Sequence, residues 1–192
     1  GPRIDSLATT QPGVDRSKLD QYILAELDHM VSVVRGALDN YQSLIAARAI
    51  EEFAEALSNW YVRRSRARFW AETETQDKSS AFETLYVVLV ELSKLIAPFV
   101  PFMAEALYQN LVARHDPSAP SSVHLAHFPE TSHARTDEAL REAVETVRAL
   151  VTLGQRVRAE RKLKVRQPLS EAIVAVANDE DRARLASFTD AI

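Results

Sequence analysis

Apolar residues recur at intervals of three and four through most of this chain, and that spacing constrains its fold more than any other feature. Leu19, Ile23, Leu27, Met30, Val34 and Leu38 form one stripe of about six helical turns. Leu44, Ala47, Ile50, Ala54, Leu57 and Tyr61 predict a second helix starting near Ser43. Phe82, Leu85, Tyr86, Leu89, Leu92 and Ile96 predict a third, from Ser79 or Ser80 to a stop at Pro98. Pro101 then suits the first position of a fourth, with Phe102, Ala106, Leu107 and Leu111 inward. With only 4 glycines in 192 residues, little interrupts these periods.

Four amphipathic helices joined by short links predict an up-down bundle over residues 16–135. Residues 1–15, with Pro2, Pro12 and Gly13, read as a connector, and Ser17 as the cap of the first helix. Residues 71–77 read as a polar loop. Residues 114–135 hold three Pro, four Ser and four His and also read as loop, with Val123-His124-Leu125 as a short extended piece. Thr136, Asp137 and Glu138 predict the start of a fifth helix, with Leu140, Val144, Val147 and Val151 along one side and an end near Lys162. Residues 171–177 read as a strand through Ile173, Val174 and Val176, and 179–188 as a short helix. The expected fold is therefore mainly α, a bundle followed by a long helix and the truncated start of a small α/β unit over 136–192.

Composition removes several functions. There is no Cys, so a disulfide scaffold, a thiolate metal site and a Cys nucleophile are excluded. No apolar run is long enough to span a bilayer, so no membrane is expected. Ser58 and Ser65 have no His nearby in sequence, and Glu51, Glu52 and Glu55 follow the ordinary solvated pattern of a helix's acidic half. With no Cys, a metal site would need three or four His or carboxylates from the flexible loop that carries His115, His124, His127 and His133, and none is expected. No catalytic residue, metal ligand or cofactor is expected in this chain.

Charge is more telling. The net charge is −4, yet its distribution is uneven. The stretch from Trp60 to Trp70 contains Arg63, Arg64, Arg66 and Arg68 and no acid. The stretch from Arg148 to Arg166 contains seven basic residues and the single acid Glu160. A basic patch on an acidic body can bind a polyanion locally. On an uninterrupted helix Arg64 and Arg68 share a face, and Arg63 and Arg66 share the next one. Guanidinium groups grip phosphates bidentately and stack on bases, and Trp60, Phe69 and Trp70 could add stacking faces. Alternatively, the arginines pair with the bundle's acids and the aromatics are core. Arg156, Arg158, Arg161, Lys162, Lys164 and Arg166 are phosphate candidates in the second stretch, or else a solvated, dipole-matched helix end.

The run Asn59-Trp60-Tyr61-Val62-Arg63-Arg64-Ser65-Arg66-Ala67-Arg68-Phe69-Trp70 resembles the signature of the anticodon-binding domain of isoleucyl-tRNA synthetases. Asp20-Gln21-Tyr22-Ile23-Leu24 is similar to that family's entry into its first helix. Asp77-Lys78 with Ala81 to Tyr86, and Ala97-Pro98-Phe99-Val100-Pro101-Phe102, are similar to its third helix and double-proline turn. Ser122 to Ala126 and Leu163 to Leu169 resemble later family segments, in order. The chain departs from the pattern at Ala67 and at His127-Phe128.

The resemblance implies a cytoplasmic parent that joins isoleucine to its tRNA using ATP and Mg, with this region binding the anticodon stem-loop. It also implies a catalytic domain of the same polypeptide upstream of residue 15. The catalytic signatures of that class, His-Ile-Gly-His and Lys-Met-Ser-Lys-Ser, are absent here, so the chain by itself is not expected to be an enzyme. The competing reading is a non-catalytic helical module that binds protein partners.

Overall fold

In a computed structural model, the structure describes residues 16–132, 137–164, 166–176, 178–179, 182 and 185. The chain divides into two compact units, residues 1–136 and 137–192.

The first helix of the first unit, α1, runs from Lys18 to Asp39. Ser17 caps it: its hydroxyl accepts from the Asp20 amide while the Asp20 carboxylate accepts from the Ser17 amide, a reciprocal capping box. Ile23, Leu27, Met30 and Val34 are buried as their spacing predicts. Tyr22, Leu24, Ala25, Val31 and Ala37 are buried as well, because α1 packs against two other helices instead of one. It ends in a Schellman turn, with the Gln42 amide bonded to the Ala37 carbonyl and the Tyr41 amide to that of Leu38. Tyr41 holds the left-handed position of that turn, φ 57°, and is fully exposed.

Helix α2 spans Ser43–Glu55 and continues without a break into a π-helical segment, Ala56–Val62. Its predicted stripe is displaced. Leu44 and Ala47 face solvent, and the buried residues are Ala46, Phe53, Ala56, Leu57 and Tyr61. The displacement lies before the π segment; within it Leu57 and Tyr61 are buried as their spacing predicts. After a turn at Ser65, Arg66–Phe69 form a last helical turn, α3.

Helix α4, Gln76–Ile96, starts three residues earlier than its apolar period suggests. Thr75 caps it by accepting from the Lys78 amide, and Asp77 stands in its first turn. From Lys78 to Ala97 no residue is fully exposed. Its most buried line is Ala81, Thr84, Val88, Leu92 and Leu95, while Phe82, Leu85, Tyr86 and Leu89 are half-buried on either side. A helix contacted by α1, α3 and the following α5 is enclosed from several directions, so no single apolar stripe describes it.

Helix α5, Pro101–Tyr108, has proline at its first position and passes into a second π segment, Gln109–Ala113. Its predicted inward face is corrected. Phe102 is 91 % exposed and Ala106 is exposed, and Ala104 and Tyr108 are the buried pair. Val123–Leu125 form a 3-10 turn capped by Ser122 instead of an extended piece. Glu105 holds it there, accepting from the Ser122 hydroxyl and the Val123 amide.

The second unit is built on α6, Glu138–Glu160, whose cap is Asp137. Ala143, Val144 and Val147 are its buried positions. The strand expected over 171–177 is not formed among the described residues, where 171–176 is irregular. The described residues contain no second strand to give it a ladder. Instead Leu169 and Ile173 share with Leu150, Leu153 and Val157 the lining of an open apolar groove along α6. Most of the predicted helix over 179–188 lies outside the described residues.

Candidate nucleic-acid interface

Six of the residues singled out for RNA contact lie between Trp60 and Trp70, and the backbone there does not form the single helix that their spacing assumes. The π segment carries Trp60, a helical turn carries Arg63 and Arg64, Ser65 breaks the run, and α3 carries Arg66 and Arg68. Ser65 is fully buried. The one continuous basic band is therefore divided.

Arg63, Arg64 and Arg66 are exposed. The Arg64 guanidinium lies over the Trp60 ring, 4.2 Å from its centroid, and that of Arg66 lies over Trp70 at 5.6 Å. Burial lowers the Arg64 pKa somewhat from its ordinary value, which leaves the group charged at neutral pH. Trp70 is 78 % exposed, an unusual placement for the largest apolar side chain. Two planar cations held against two indoles form a basic, flat-faced surface.

Arg68 turns the other way. Its Nη1 and Nη2 donate to the two carboxylate oxygens of Asp20 at 2.9 and 2.6 Å, a bidentate pair. The same guanidinium reaches Asp77, through Nε to the carboxylate at 2.9 Å and Nη2 to the backbone carbonyl at 3.1 Å. Asp20 is completely buried and also accepts from the Tyr61 hydroxyl at 2.7 Å and the Ser17 hydroxyl at 2.8 Å. Burial alone would raise the Asp20 pKa. The bonds from Arg68, Tyr61 and Ser17, with the charge of Arg68, outweigh it and hold the carboxyl below its usual range. Burial pushes the Tyr61 phenol up, and the Asp20 carboxylate pushes it further. Despite desolvation, Asp20 and Asp77 raise the Arg68 pKa.

Phe69 also turns inward, edge-on to Tyr61 and Phe82 with centroids 6.4 and 5.1 Å away, so it is not available as a stacking face. Lys78, nearly buried, donates to the Ala71 carbonyl and to Glu74 and ties down the loop after Trp70. The arginine-rich turn is thus fastened from beneath by side chains of α1, the π segment and α4.

The second basic stretch belongs to the other unit. Arg161, Lys162, Lys164 and Arg166 are exposed. Arg156 is exposed and pairs with Glu160 at 3.1 Å. Arg158 is half-buried, and its Nη1 donates to the carbonyls of Lys164 at 3.2 Å and Gln167 at 2.8 Å, folding the chain back over the helix end. The turn after α6 is again a Schellman turn, and Lys162 occupies its left-handed position with φ 55°.

The supporting residues Asp20, Tyr61 and Asp77 were not legible as parts of this site. In sequence Asp20 and Asp77 stand in segments that resemble the family's first and third helices, and Tyr61 in the second apolar stripe and the arginine-rich run, but nothing in that pattern shows them meeting Arg68. Among the described residues no group of three or more His, Cys, Asp or Glu converges as metal ligands would, and no helix is long and apolar enough to cross a membrane.

Residues 20–173 match the family model described as the anticodon-binding domain of tRNA ligase. Over 175 residues the chain is 47 % identical to an isoleucine–tRNA ligase of Dehalococcoides mccartyi, covering 91 % of this chain and 17 % of the relative. It is 43 % identical over 168 residues to that of Clostridium novyi, and 43 % identical over 170 residues to that of Thermobifida fusca. Each of these two alignments covers 88 % of this chain and 16 % of the relative. The chain spans about one sixth of the length of these curated relatives. The matched span takes in α1 to α6 and both basic stretches, and the chain belongs to the anticodon-binding domain family of tRNA ligases, with its relatives among the isoleucine–tRNA ligases.

Proposed function

We propose that this chain binds the anticodon stem-loop of an isoleucine tRNA as part of a longer cytoplasmic isoleucine–tRNA ligase. The observation that carries the reading is the outward set of Arg63, Arg64 and Arg66 with the exposed Trp70, mounted on a turn fastened from below. Exposed guanidinium groups neutralise phosphates, and indole faces accept splayed bases of a single-stranded loop. Trp60 supports Arg64 from beneath. Arg161, Lys162, Lys164 and Arg166 give the second unit a further phosphate-binding surface, which Arg156 borders and Arg158 shapes. Arg68 enters this reading as a brace instead of a contact.

The ligation of isoleucine to tRNA, with ATP and Mg, is proposed for the longer protein. Neither a metal-ligand cluster nor a Gly-rich phosphate loop is offered by the described residues, so no step of that chemistry is assigned to them. The catalytic part of the same polypeptide is the second proposed partner.

The test is binding of the purified chain to an isoleucine tRNA transcript and to an anticodon-swapped transcript across a salt series. Salt-sensitive binding is expected, with a slope of about −0.7 per neutralised phosphate in single-stranded regions. Tighter binding of the cognate transcript locates anticodon reading here, and equal binding assigns the chain a docking role. No binding at low salt, or binding that excess RNA does not compete away from an acidic protein partner, overturns the reading.

A further inference from the structure

One residue in the basic end of the first unit has the wrong charge for a polyanion site. Asp20 stands at the N-terminus of α1, yet its carboxylate is the point where the arginine-rich turn is fastened. It takes both terminal nitrogens of Arg68, the Tyr61 hydroxyl and the Ser17 hydroxyl, and it is completely buried. Arg68 in turn bridges to Asp77 on α4. The anchor points flank the exposed arginines in sequence: Tyr61 precedes Arg63 and Arg64, and Arg68 follows Arg66. Between them Ser65 is buried and lies 3.5 Å from Arg68 Nη1.

A short turn held at both ends by one buried acid has little freedom to move its exposed side chains. Preorganised binding groups lose less entropy on meeting a ligand. We propose that Asp20 is a positioning residue for RNA binding, which, through Arg68 and Tyr61, presets Arg63, Arg64 and Arg66 for phosphates. The inference rests on the phosphate-binding role given to those three arginines.

It makes a prediction opposite in sign to simple electrostatics. Removing a negative charge beside a phosphate-binding surface should strengthen RNA binding. It would also strengthen binding if Arg68 were a masked phosphate ligand, released when its partner is lost. A positioning role requires Asp20→Asn to weaken it.

The experiment uses the 192-residue chain and an anticodon stem-loop hairpin RNA, titrated between about 50 and 200 mM salt at a temperature where circular dichroism shows each variant folded. Asp20→Asn is expected to bind about tenfold more weakly at low salt, with a salt slope reduced by about one phosphate's worth, roughly 0.7. Arg68→Lys keeps the charge but cannot make the bidentate pair, and is expected to lose affinity in the same way. It also serves as the test if Asp20→Asn does not fold. Unchanged or tighter binding by a folded variant overturns the proposal, because a residue serving stability alone would leave both affinity and slope intact. Arg63→Ala with Arg66→Ala is measured beside them. If that double variant binds like the wild type, the phosphate-binding reading itself fails. If it loses affinity while Asp20→Asn and Arg68→Lys do not, only the role of Asp20 is lost.

Discussion

The two basic stretches, Trp60 to Trp70 in the first unit and Arg148 to Arg166 in the second, look alike in composition and are built differently. In each, an arginine turns away from the exposed set: Arg68 in the first and Arg158 in the second. In the first, Arg68 closes a buried ionic cluster with Asp20 that ties together segments 48 residues apart in the chain. In the second, Arg158 bonds to carbonyls six and nine residues ahead, and the helix end closes in its own backbone turn. A charged group placed among distant elements makes a rigid platform. The same group bonded to its own neighbours makes a local clip. Counting basic residues cannot separate these cases.

The largest expected contrast is in stability. Arg68→Ala removes the partner of a fully buried carboxylate, and losing one member of such a pair typically costs about 3 to 5 kcal/mol. Arg158→Ala removes the hydrogen bonds to the Lys164 and Gln167 carbonyls at a solvated helix end, and about 1 kcal/mol is expected. Chemical denaturation of both variants checks this, with hydrogen exchange at the end of α6 for the second. Equal effects would erase the distinction between the two regions.

Acid should expose the same difference. The Asp20 carboxyl is held below its ordinary value of 3.8 in the folded chain. Its stabilising contribution is therefore complete above pH about 4 and is lost as pH falls through the lower folded-state value. Stability measured from pH 7 to pH 2 should hold through the upper part of that range and fall below about 4. In Asp20→Asn the fall should be shallower but still present, since Glu105 and Asp116 are also held below their usual values by hydrogen bonds, from Gln109 and Ser118 first. An acid profile identical to the wild type would mean that the buried pair contributes nothing.

The smallest effect sharpens the account of the second region. Lys162 sits at φ 55° where glycine has no steric penalty, so Lys162→Gly should strengthen the end of α6 by up to about 1 kcal/mol, read as slower amide exchange in its last turn. RNA affinity would be expected to fall slightly in the same variant, because one exposed cation is lost. Gain in both would remove Lys162 from the phosphate-binding set.

The sequence by itself determined that helices form and roughly where, because helical period, caps and proline stops are local properties. Ser17 as a cap, Ser43 as a start, Pro98 as a stop and Pro101 as a first residue all hold in the structure. It also located the concentrations of charge. Only the tertiary structure decided which apolar residues are buried, as Phe102 and Leu44 illustrate, since burial depends on which neighbours an element meets. It decided too that 171–176 has no strand partner among the described residues. The arginine run depended on it most. A π-helical segment and a buried turn changed the direction of each side chain, and an acid 48 residues away drew Arg68 inward. Spacing along one helix cannot encode a partner on another, because the energy of a buried ion pair is set by desolvation and geometry that exist only after the helices pack.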